Sequence, residues 1–147
     1  MMDYQEIDLV PPPDVPPRAV AGWTPARFLL VGGWALIVLG LSGALGLFSS
    51  LPPSNVLNPP YWIDWVHVSV GTVAILAALK GNANIQRRLA FVPAVLGSAM
   101  GIAGLVLSLH SGHGIAPKPV DLSDHVTHVC VGALASWAIW NTRPRTA

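Results

Sequence analysis

The sequence predicts an all-α membrane protein: a bundle of four transmembrane helices built from two tandem, parallel helical-hairpin repeats. Three observations carry this. Of 147 residues, 52% are apolar and only 10% are charged, against about 25% charge in soluble domains. Four apolar stretches alternate with polar, Pro-rich or Gly-rich breaks. The second half of the chain matches the first at a constant offset of 61 residues.

Residues 1–26 read as a Pro-rich, acidic tail. Asp3, Glu6, Asp8 and Asp14 precede any Lys or Arg, which is not the basic-then-apolar order of a cleaved signal. Pro11-Pro12-Pro13 and Pro16-Pro17 favour extended polyproline backbone, because Pro donates no amide hydrogen. Such an arm is either solvated or a strap onto a partner, anchored by Tyr4, Ile7, Leu9 and Val10.

The first repeat covers 27–80, with spans at about 28–48 and 62–79. Phe28 to Phe48 contains no charge. At 1.5 Å rise it is about 31 Å long, close to the hydrocarbon thickness. Pro52, Pro53, Asn55, Pro59 and Pro60 then make a loop. The second span opens on Tyr61, Trp62 and Trp65, which suit the headgroup boundary. Lys80 to Arg88 reads as a polar turn.

The second repeat covers 88–141, with spans at about 89–109 and 123–140. Pro93 falls near the start of the third span, where a helix loses little by it. A loop rich in Gly, His and Pro follows, from His110 to Leu122. Ser123 or Asp124 suits the N-cap of the fourth span. Trp137 and Trp140 belt its far end. Residues 142–147 form a short tail. Cys130, the single cysteine, lies in an apolar run and reads as a small packing residue.

Four spans put both termini on one side. That side carries Arg18, Arg27, Lys80, Arg87, Arg88, Arg143 and Arg145; the other carries Lys118 alone. The bias places both termini and the middle turn in the cytoplasm. A bacterial inner membrane is the expected location.

The offset of 61 brings Arg27 onto Arg88, Gly40 onto Gly101 and Gly43 onto Gly104. It also brings His67-Val68-Ser69-Val70-Gly71 onto His128-Val129-Cys130-Val131-Gly132. Arg and His are rare in this chain, so their matches weigh most. Two-span units point the same way and are related by an axis along the membrane normal. Lipid gives helices no hydrophobic reason to associate, so close approach at small residues holds them together. Gly40, Gly43, Gly71, Gly97, Gly101, Gly104 and Gly132 are the expected packing positions.

His67 and His128 are the most informative residues. Each lies one to two turns inside its helix, with an acid one turn earlier, Asp64 or Asp124. A carboxylate there would orient the imidazole and raise its basicity. Ionisable groups within a span usually face the bundle interior. Several readings stay open. His and Asp can bond helices 2 and 4 together, or bond the loops. The two His can be axial ligands of a b-type haem, or each can bind a (bacterio)chlorophyll magnesium. His110, His113 and His125, with Asp121, Asp124 and His128, can make a metal site on the outer face. Passage of protons or a solute is the last.

No nucleophile elbow, Walker loop or dinucleotide fingerprint occurs, so no enzyme is expected. A net charge of +1 without a basic patch points away from nucleic acid. The stretches Asp64 to Gly71 and Asp124 to Gly132 resemble small bacterial four-helix membrane proteins of unknown function. Those carry a His-apolar-x-apolar-Gly motif opening helices 2 and 4, often after Asp or Asn. The resemblance covers about Arg27 to Trp140 and implies fold and topology rather than activity. The Pro-rich tail and the His110 to His113 loop depart from it.

The sequence therefore points to a non-catalytic accessory or scaffold subunit of a larger inner-membrane complex. Its partners would be the lipid bilayer and other membrane subunits. The rivals are a haem- or chlorophyll-binding subunit, and a small transporter or metal-binding protein of the outer face. The topology has a direct test. In a Cys130→Ala background, Lys118→Cys should react with an impermeant thiol reagent added outside intact cells. Reaction from the cytoplasmic side alone would reverse the orientation.

Overall fold

The computed structural model describes residues 22–51, 60–110 and 122–142. The expectations for residues 1–21, His113, Lys118, Asp121 and residues 143–147 lie outside these. Four helices follow one another: α1 (Pro25–Ala44), α2 (Tyr61–Lys80), α3 (Ala83–His110) and α4 (Leu122–Trp140). Pro25–Ala44, Tyr61–Lys80 and Ala83–Ser108 are long and apolar enough to cross a membrane. The 19-residue α4 is not among these three, because Asp124, His125 and His128 crowd its first half.

Local chemistry sets the helix ends, and three differ from the hydropathy reading. The Thr24 side chain caps α1 by accepting from the Arg27 amide at 3.3 Å, with Pro25 at the first helical position. The helix stops at Ala44, four residues before the apolar run does. Gly46 takes φ +71°, a left-handed conformation that costs glycine little. Its amide donates to Gly43 and that of Leu47 to Ser42, which closes the helix end.

The middle turn is also shorter than expected. Only Gly81 and Asn82 separate α2 from α3. Asn82 accepts from the Ile85 amide at 3.0 Å and starts α3 six residues ahead of the apolar run. Arg87 and Arg88 thus lie on a helix. Gln86 Nε2 donates back to the carbonyls of Ala77, Ala78 and Gly81 at 2.9–3.2 Å, serving acceptors at the end of α2, where carbonyls run short of amide partners. Pro93 is therefore an interior residue of α3, and the Leu89 carbonyl has no amide to receive there. Ser123 and Asp124 lie inside α4 rather than at its cap.

The helices pack as two hairpins. α1 packs most extensively on α2, and α3 on α4; α1 also touches α3 and α4, and α2 touches α3. α2 and α4 are the only helix pair that does not approach. The bundle thus has α1 and α3 at its middle and α2 and α4 on opposite flanks.

Its two ends differ. The end with Trp23, the Gly81–Asn82 turn and Asn141 is here the turn end; the other is the loop end. Among the described residues every buried apolar side chain is in the turn half: Pro25, Phe28, Leu29, Ala77, Ala90, Ala94, Ala135, Ala138 and Ile139. All four helices contribute. In the loop half the buried positions are glycines and Asp64.

The glycines lie where two helices of one hairpin meet. A Cβ on Gly33 would meet the Gly71 carbonyl at 2.8 Å, and one on Gly71 the Gly33 carbonyl at 2.6 Å. In the second hairpin a Cβ on Gly101 would meet Val129 N at 2.7 Å and His125 O at 2.8 Å. Gly97 lies against the His128 carbonyl and Gly132 against Ser98. Backbone atoms cannot move aside as side chains do. Gly101→Leu should therefore destabilise the protein by about 1–3 kcal/mol, read as a lower unfolding midpoint in detergent. Gly32 has nothing within 4 Å of an added Cβ, so Gly32→Leu should leave the midpoint nearly unchanged.

Candidate functional site

The acids and histidines of α2 and α4 collect in the loop half: Asp64, His67, Asp124, His125 and His128. His67 is the seventh residue of α2 and His128 the seventh of α4. At 1.5 Å per residue each lies about 9 Å along its helix. The same glycine seams position both.

In the first hairpin, Gly40 faces the Asp64 carbonyl, Val68 and the Cβ of His67. Gly43, one turn on, faces the Asp64 carboxylate. Any side chain at Gly43 would occupy the space of that carboxylate. Asp64 is 3% exposed, and its Oδ1 has no hydrogen-bond partner. The His67 Nδ1 is likewise buried without a partner. A buried polar atom without a partner costs free energy. Asp64 has one favourable term, its place in the first turn of α2, where the helix dipole attracts negative charge.

In the second hairpin, Gly101 faces Val129 and the His125 carbonyl, and Gly104 faces the His125 ring. These contacts are those of the first hairpin shifted by 61 residues: Gly40 with Val68 becomes Gly101 with Val129, and Gly43 with Asp64 becomes Gly104 with His125. The buried acid thus corresponds to His125 and not to Asp124. Adding 61 to 64 finds this in the sequence; pairing each His with its preceding acid hides it.

His128 is held differently from His67. Its Nδ1 lies 2.8 Å from the Asp124 carbonyl and 3.5 Å from the Asp124 carboxylate. The shorter contact is to the backbone, one turn back on the same helix. A carbonyl only accepts, so Nδ1 carries the hydrogen and Nε2 of the neutral ring keeps its lone pair. The His128 side chain is 35% exposed and that of Asp124 26%. The expected acid and His therefore do meet on one face of α4, with the carbonyl as the nearer partner.

No hydrogen bond of either histidine joins helices 2 and 4: the His67 Nδ1 has no partner and the His128 Nδ1 bonds within α4. Their side chains nevertheless share one neighbourhood: Asp64, Asp124 and His128 all act electrostatically on the His67 imidazole. For the expected metal site, His113, Asp121 and the side chain of His110 lie outside what the structure describes. Among the described residues no three His, Cys, Asp or Glu groups converge on one ion position.

Cys130 departs from the reading of a packing residue. It is exposed on α4, beside exposed Thr127, Ala133 and Leu134. The aromatic residues at the helix ends are exposed too, with Tyr61 and Trp65 in an edge-to-face pair at 6.3 Å. No family profile, no curated protein and no solved structure matches this chain.

Asp64 gives this site a stability signature. Asp64→Ala removes the unpartnered acceptor and should raise the unfolding midpoint, by about 1 kcal/mol after the lost packing is counted. A drop of that size instead would mean that the carboxylate has a stabilising partner in the membrane.

Proposed function

We propose that this protein is a non-catalytic accessory subunit of a larger complex in a bacterial inner membrane. It crosses the bilayer four times, as two copies of one hairpin, with both termini in the cytoplasm. The contacts that recur at 61 residues support the duplication. The distribution of Lys and Arg supports the orientation.

The observation that carries the subunit reading is α4. Of the four helices it alone falls short of the apolar character that lipid asks for, yet one of its faces is exposed. That face includes Thr127, Cys130 and Ala133, flanked by Val126, Leu134 and Trp137. The Thr127 hydroxyl donates to the Ser123 carbonyl of its own helix at 2.8 Å, so the centre of the face is made of small side chains and its hydroxyl is already bonded. Small residues let a neighbouring helix come close. Gly40, Gly43, Gly71, Gly97, Gly101, Gly104 and Gly132 are already used inside the hairpins, so α4 and not a glycine face is the docking surface.

The single cysteine gives the test. On native gels of mildly solubilised membranes the wild-type chain should run in one discrete assembly well above its own mass. Cys130→Trp, which fills the face, should release it as monomer with unchanged helix content by circular dichroism. A wild-type chain that runs as a monomer would rule the reading out.

A further inference from the structure

Among the described residues, His67 and His128 meet the demands of one particular ligand. A six-coordinate haem iron takes two imidazoles on opposite faces of a flat macrocycle. Its two ligands must come from helices that stay apart, at equal depth, with their side chains converging. α2 and α4 are the one helix pair that does not approach. His67 and His128 are each the seventh residue of their helix. Their rings are close enough to act on each other electrostatically.

The surroundings agree. The apolar core that joins the hairpins lies wholly in the turn half, and no large side chain is fully buried among the described residues. In the loop half each hairpin is tight within itself at its glycines, and the described buried positions there are glycines and Asp64. Among the described residues no three ligands converge for a bare ion. A covalently attached haem does not fit either, because attachment needs a Cys-x-x-Cys-His motif and the chain has one cysteine.

We propose that His67 and His128 are the axial ligands of a non-covalently bound haem held between the two hairpins at the loop end. His128 is already set for it. Its Nδ1–H is tied to the Asp124 carbonyl, the outer bond that ligating histidines usually make, and its Nε2 is free. His67 lacks that bond, but Asp64, one turn back on the same helix, has an acceptor oxygen with nothing to receive. Turning the His67 ring so that Nδ1–H donates to Asp64 would satisfy both orphan atoms and present Nε2 to the iron. At about 9 Å from the helix starts, the propionates of the macrocycle reach the aqueous boundary. This inference goes beyond the subunit reading and does not depend on it.

The test is a titration of hemin into the purified full chain in nanodiscs. The expected result is one haem per chain, with a sharpened Soret band and, after dithionite, the resolved visible bands of low-spin iron. His67→Ala and His128→Ala should each weaken binding by about tenfold or more and give high-spin spectra. His128→Met, which keeps a ligand atom, should keep low-spin iron with shifted bands. His125→Ala should bind as the wild type does. Hemin spectra that are the same in the wild type and the His67→Ala/His128→Ala double variant would overturn the proposal. So would strong binding of zinc protoporphyrin that depends on one His alone, since that describes a five-coordinate, chlorophyll-like site. A chain that takes up no hemin but still migrates in a large assembly would refute the haem and leave the subunit reading standing.

Discussion

The close approach of two helix backbones at glycine governs this molecule. At Gly33 and Gly71 each helix has its carbonyl where the other would carry a side chain. Contacts this short bring backbone dipoles and Cα hydrogens together and give van der Waals attraction over a long seam, which lipid cannot replace. They also fix rotation. With Gly40 and Gly43 against α2, only the stripe of Asp64, His67, Val68 and Gly71 can face α1. The depth and direction of the polar side chains thus follow from which residues lack a side chain.

The seams work within hairpins, and a different force works between them. Phe28, Leu29, Ile139 and five alanines gather at the turn end. Mostly small apolar residues there let four helices meet at one level. Among the described residues the loop half has no such core and carries instead Asp64, His67, Asp124 and His128. An acid 3% exposed without a partner on Oδ1 is expensive to maintain in a low-dielectric region. Its position at a helix start softens the cost without removing it.

Much of this was legible in the sequence, for physical reasons that can be named. Phe28 to Phe48 and Leu89 to Leu109 are long uncharged runs, so two helices could be read directly, and the offset of 61 supplied the other two. The offset of 61 was carried by Gly, Arg and His, and the glycines it aligns occupy corresponding contacts in the two hairpins. Hydropathy failed at helix ends, because lipophilicity says nothing about capping. Gly46 ends α1 inside an apolar run, and Asn82 starts α3 inside a polar one. The site was read at the level of residues and not of roles. Asp64 and Asp124 look alike in the chain, yet one lies under a glycine while the other is a quarter exposed. A shift of one residue, i−3 against i−4, places them on different parts of the helix surface. Cys130 was misplaced because an apolar run in a membrane protein has an exposed face as well as a packed one.

The Trp23 indole donates to the Leu134 carbonyl at 3.1 Å, and the Asn141 amide donates to the Trp23 carbonyl at 3.4 Å. The entry to α1 is thereby fastened beside the exit from α4, just as the two-residue turn fastens α2 to α3. Seen from the turn end, the described chain is a closed ring of two arcs, one joined by peptide bonds and one by hydrogen bonds. A ring has no first member. The bundle would keep its shape with either hairpin leading, and new termini opened at Gly81–Asn82 would exchange the covalent and non-covalent joints while leaving the glycine seams intact.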